Sequence, residues 1–254
     1  MRDILKDNSY WKMRISKTER VNIEDIEDIN NGKIAYERIK IVKRSLVYSF
    51  LNSVSAKYSA GYQIFDLNKD LTQAINLTSE SWDSFWNIKH NGIKLNQYSL
   101  GAYDEMLWML SLGYLLNIDE ADFKKLVRVV DRDGVKDYLF EFIINAKIKD
   151  RQLISEESYS EFFGVPQTFE KLRQTITHND KNKAEKLLKE FITKDWYKKH
   201  KDAGWYNSHK SIHDVYYGYW SFETAAVVKI MGLDDSSFID SNYYPKDLVH
   251  QENI

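Results

Sequence analysis

SLGAYDEMLWMLSLGYLLN, residues 99–117, reads as a helix with almost no polar side. Only Asp104 and Glu105, in its first turns, interrupt the apolar surface. Acids there suit the positive end of the helix dipole. A helix apolar on every side belongs in the middle of a bundle. The run is too short to cross a bilayer, so it is expected to be buried in protein. The rest of the chain agrees with a helical body. Its 254 residues are 43% hydrophobic and include only 2 prolines and 10 glycines. So few breakers over such a length favour long helices over many short strands.

VNIEDIEDI (21–29) spaces its apolar residues about three apart. KIAYERIKIVKRSLVYSFLNSVSAKYSAG (33–61) is a long amphipathic segment, with Gly61 placed to cap it. Residues 66–90 read as another helix, ended by the Asn91-Gly92 break. Shorter helices are expected near 119–131, 134–147, 155–163, 167–177 and 180–200, with a turn at FGVP (163–166) and a loop at AGWYNS (203–208). The expected class is all-α, a multi-helix bundle in which an N-terminal region (1–123) packs with a C-terminal region (124–254). NIDEADF (117–123) and GLDDSSF (232–238) echo each other. The plainer reading is two similar helix ends followed by capping acids.

Composition narrows the function. There are no cysteines, which excludes disulfides and thiol catalysis and fits a reducing cytoplasm. MRDILKDNSYW carries early charges with no apolar run behind them, so it is not read as a signal peptide. A net charge of −2 offers no global field for nucleic acid or anionic membrane. That average hides a contrast: residues 181–201 sum to +5 and residues 214–254 to −5.

HDVYYGYWSFETAAVVKIMGLDD (213–235) raises the question of a site. Read as one helix at about 100° per residue, Asp214, Gly218, Ser221, Ala225 and Lys229 share a small or polar face. Ile212, Tyr216, Tyr219, Ala226, Val227 and Ile230 share the opposite one, and Glu223 falls in its middle. A carboxylate buried there costs several kcal/mol unless paired or protonated. Arg38, Arg44, Arg128 or a tyrosine hydroxyl are the expected partners. Glu223 is then either a structural ion pair that fixes helix docking or the carboxylate of a pocket.

His209 and His213, spaced i, i+4, would share a helix face and suit zinc only with a third ligand from elsewhere. There is no H-E-x-x-H, no phosphate-binding glycine motif, no nucleophile elbow and no Glu-x-Lys. No cofactor, metal or catalytic residue is assigned. The lysines of 181–201 read as a solvated face, or as the contact surface of a scaffold. Past Gly232, capping explains some of the acids but does not require Asp240 and Asp247 as well.

These residues carry a resemblance. YYGYWSFETAAVVKIMGLDDSSFIDSNYYPKDLV (216–249) resembles the signature of the PoNi family, immunity proteins that neutralise a polymorphic nuclease effector. MRDILKDNSYW, VKRSLVYSFLNSVSAKYSAGY (42–62) and YDEMLWMLSLGYLLNID (103–119) resemble the family's N-terminal region in order and spacing. The likeness covers most of the chain and is weakest at 124–200. It implies an all-helical cytoplasmic protein, not an enzyme, that blocks a DNase toxin of the PD-(D/E)xK class and contacts neither nucleic acid nor membrane itself. No catalytic residues carry over. The acidic segment is the candidate surface for that partner, with Asp234, Asp235, Asp240 and Asp247 for steering and Tyr243 and Tyr244 as exposed anchors. The competing readings are an enzyme using Glu223 with His209 or His213, and a helical scaffold.

Overall fold

Why each stretch adopts its structure can be followed in a computed structural model, which describes residues 1–83, 86–149, 151 and 167–250. The elements run α1 (Asn8–Asn30), α2 (Tyr36–Ala60), α3 (Leu67–Ser81), β1 (Asn87–His90), β2 (Ile93–Tyr98), α4 (Leu100–Leu115), α5 (Glu120–Asp133), α6 (Tyr138–Lys147), α7 (Glu170–Thr177), α8 (Lys181–Glu190), α9 (Trp196–Lys199), α10 (Phe222–Met231) and α11 (Asp247–His250). The fold is helical, as expected, with one small antiparallel hairpin. The helix expected at 155–163 and the turn at 163–166 lie outside the described residues.

Two compact units form, each from separate stretches of chain. The first takes Met1–Asp83, Ala121–Val129 and Asn207–Tyr219; the second takes the described parts of 84–120, 130–206 and 220–254.

In the first unit α1 begins where the Asp7 carboxylate accepts the Tyr10 N–H at 2.8 Å, satisfying an orphan donor of the first turn. Trp11 and Ile15 of α1, Val47, Leu51 and Val54 of α2, and Leu71 and Ile75 of α3 are buried. Each such side chain contributes about 1.5–3 kcal/mol by leaving water. A buried Lys57–Asp70 pair sits among them and reaches out to the exposed Glu19. Lys57 Nζ lies 2.8 Å from both Asp70 and Glu19, and Ser53 Oγ donates to Asp70 at 2.6 Å. Burial alone would lower the Lys57 pKa, but the Asp70 and Glu19 hydrogen bonds outweigh it and raise it. Gly61 ends α2 in the left-handed region at φ 91°, as its position suggested. A Cβ there would lie 2.6 Å from the Met1 nitrogen. The chain start is strapped across that helix end, with Arg2 N donating to Ser59 O at 2.8 Å.

In the second unit α4 is buried along most of its length, and α6 and α10 pack against it. The helix read over 66–90 stops at Ser81, and 87–98 forms the hairpin instead. Asn91 and Gly92 take φ 49° and 78°, the conformation a tight two-residue turn requires. The hairpin is held by buried acids that hydropathy does not reveal. Asp133 accepts from Tyr98 OH at 2.8 Å; Asp137 accepts from Gln97 Nε2 at 2.9 Å and Tyr103 OH at 3.0 Å while capping α6. The helix read over 180–200 is interrupted by a π-turn at Phe191–Asp195.

The echo between 117–123 and 232–238 is a shared helix ending. Asn117 and Gly232 both have positive φ, and the next N–H reaches back five residues, Ile118 to Gly113 O and Leu233 to Val228 O.

Candidate functional site

Residues 213–221 are not helical, so the helical wheel misplaced the first part of 213–235. Val215 to Ser221 form no regular element, Gly218 turns at φ 107°, and α10 starts only at Phe222. The aromatic side chains still fill a core: Tyr216, Tyr219 and Trp220 are buried. They do so from an irregular segment that turns at Gly218, a path no helical wheel represents. His209 and His213 therefore share no helix face. His209 lies in a short turn with Nδ1 2.8 Å from Tyr219 OH, while His213 is exposed and its backbone N–H donates to Ser211 Oγ. Burial, then the charge of Lys210, lowers the His209 pKa.

Glu223 is fully buried, at 0% exposure. It sits in the first turn of α10, where the helix dipole favours a carboxylate. Its partners are not the expected arginines. Trp196 Nε1 donates to Oε1 at 2.6 Å and Ser221 Oγ donates to the same oxygen at 2.7 Å, while Oε2 is buried with no hydrogen-bond partner. Burial pushes its pKa up from the ordinary carboxylate value. The π-turn directly precedes Trp196, which is itself buried.

His200 and Asp104 complete this interior. His200 Nδ1 lies 2.6 Å from the Trp196 carbonyl, which fixes Nδ1 as the donor, and Nε2 lies 3.7 Å from Asp104 Oδ1. Burial raises the Asp104 pKa. Burial alone would lower that of His200, but the hydrogen bond and charge of Asp104 carry it above the ordinary value. Trp205 packs on both Trp196 and His200. Two acids and an imidazole at 0–3% exposure offer a substrate no approach; they hold α4, α9 and α10 in register. Spacing could not have found Asp104 or His200, the one in an apolar helix and the other among lysines.

The acids after α10 separate by burial. Asp235 is buried, accepting from Tyr244 OH at 2.6 Å and lying 2.8 Å from His250 Nε2. Tyr244 is buried too, which corrects its reading as an exposed anchor. The pair ties the chain after α10 to α11. Asp234 and Asp240 are exposed and Asp247 is half-buried. Asp234 caps its own turn by accepting from Ser236 N, which holds its carboxyl below the usual range, and Asp240 pairs with Lys246 at 2.7 Å. Tyr243 is half-buried, stacked on Tyr197 with ring centroids 5.0 Å apart. Tyr197, Trp205 and Tyr206, each partly exposed, extend this aromatic face.

Among the described residues no three His, Asp or Glu side chains converge to hold a metal ion, and no helix is long and apolar enough to cross a membrane. Two family models match the chain. One, described as PoNe immunity protein (PoNi), N-terminal, matches residues 2–128; the other, PoNe immunity proteins (PoNi), C-terminal, matches residues 135–248. No curated protein and no solved structure matches it.

Proposed function

The chain belongs to the PoNe immunity proteins, and on that premise we propose that it binds a cognate bacterial DNase toxin of the PD-(D/E)xK class and silences it by protein–protein contact, with no reaction of its own. The observation that carries this reading is the match of both family models, in order, across nearly the whole chain. The protein acts in the cytoplasm of the cell that makes the toxin, where self-intoxication has to be prevented. Silencing an enzyme needs a nanomolar Kd, about −12 kcal/mol, which usually takes roughly 1,600 Å² of interface. The exposed carboxylates of Asp234 and Asp240, with Asp247 beside them, steer a partner whose phosphate-binding surface is basic. Tyr243 contributes from the neighbouring aromatic face, while Asp235 and Tyr244 keep the segment in shape.

The test is co-expression with the cognate nuclease toxin. Growth of a sensitive host should be restored, and the purified protein should halt DNA degradation at a one-to-one ratio. Continued killing, with both proteins folded and present, would refute the reading.

A further inference from the structure

Exposed apolar side chains are unevenly spread. Of the 14 exposed large hydrophobic side chains among the described residues, 13 belong to the first unit and only Ile93 to the second. Several of them lie on the N-terminal segment, α1 and the irregular segment before α10. Ile4 is 83% exposed and Ile212 93%; Leu5, Met13 and Val215 are exposed as well. An open groove lined by Leu5, Lys6, Asp7, Ser9, Tyr10 and Met13 runs beside them.

A polar seam holds these two stretches together from opposite ends of the sequence. Tyr216 OH donates to Asp3 Oδ2 at 2.5 Å, Tyr10 OH donates to Tyr216 O at 2.9 Å, and the Arg14 guanidinium donates to Tyr217 OH. These bonds form without a partner, so the two stretches are already joined and less entropy is lost on binding. Large apolar side chains left exposed on two stretches joined in this way mark a contact site.

Charge selects the occupant. Residues 1–17 hold five Lys and Arg against two Asp, and residues 207–219 hold one Lys and one Asp, so the region sums to +3 in a chain of −2. A DNase cleft is positive because it binds phosphates. Like charge opposes docking there and favours an acidic face with apolar recesses.

We propose that this patch, centred on Ile4 and Ile212, anchors the chain to an apolar and acidic face of its nuclease partner, outside the DNA-binding cleft. The inference rests on the immunity reading above and adds a division of labour to it. The patch sets the dissociation rate, and the acids after α10 set the association rate.

The experiment uses the full chain and a catalytically inactive form of the toxin. Ile4→Asp and Ile212→Asp alter side chains that touch mostly solvent, so the melting temperature should not move; Ile212→Ser is a milder second variant. Either aspartate should weaken binding by at least about 30-fold, the scale of a lost anchor, through faster dissociation. Wild-type chain should also capture toxin already loaded with a DNA duplex. Aspartate variants that bind within about threefold of wild type would overturn the anchor while leaving immunity intact. Displacement of DNA one-for-one by wild type would overturn the off-cleft placement. A dimer of this chain alone, or sedimentation with phosphatidylserine vesicles, either one abolished by the same variants, would assign the patch to a second copy or to a membrane and overturn the proposal. Absence of any toxin binding by wild type would sink the immunity reading itself.

Discussion

Replacing Glu223 by glutamine tests the interior of the second unit most directly. Both of its hydrogen bonds, from Trp196 and Ser221, end on Oε1. Glutamine keeps that acceptor, and its amide nitrogen replaces the unpartnered Oε2. The substitution therefore removes little except the capacity to ionise. Burial raises the folded-state pKa of Glu223, so the folded form holds its proton to higher pH than the unfolded chain does. A carboxyl raised in this way lowers stability as pH climbs above about 4.5, by up to about 1.4 kcal/mol per pH unit, until the folded pKa is passed. Denaturant titrations followed by Trp fluorescence from pH 5 to 8 should show that slope in wild type and a flatter one in Glu223→Gln. The variant should match wild type within about 1 kcal/mol at pH 5 and equal or exceed it at pH 8. Glu223→Ala, which strands the Trp196 indole and opens a cavity, should cost about 2–4 kcal/mol at either pH. Parallel pH slopes for glutamine and wild type, with the glutamine form less stable by more than about 2 kcal/mol at pH 8, would show that the carboxylate is ionised and paired, and the reasoning would fail.

The remaining predictions concern both units and the partner. Lys57→Met leaves Asp70 buried without its cation and should destabilise by about 3–5 kcal/mol in denaturant titrations, whereas disrupting the exposed Lys246–Asp240 pair should leave the denaturation midpoint essentially where it is. Gly61→Ala forces a Cβ against the Met1 nitrogen at positive φ; a loss of about 1–3 kcal/mol is expected, with faster amide exchange at Arg2. Asp234→Asn with Asp240→Asn should slow association with the toxin and weaken its salt dependence, leaving dissociation nearly unchanged in stopped-flow measurements.

Residues 99–117 show where a sequence alone suffices. Helical periodicity is local, since every backbone bond of a helix closes within four residues and its buried face repeats every 3.6. α4, the cap at Gly61 and the stop at Gly232 were legible for that reason, and the family motif was legible because it is a string of residues. The segment before α10 shows the opposite. Its buried aromatics are spaced as on a helix, yet the segment is irregular, and that choice fell to partners far away in the chain, Asp3, Tyr10 and Trp11 among them. The hairpin at 87–98 likewise depends on Asp133 and Asp137, and the exposure of Asp234 against the burial of Asp235 depends on Tyr244 and His250. Neighbouring letters carry the hydrogen bonds of a helix. They do not carry those of an irregular segment or a buried carboxylate, because such groups find their partners only once distant stretches have packed, and that was settled by the tertiary structure alone.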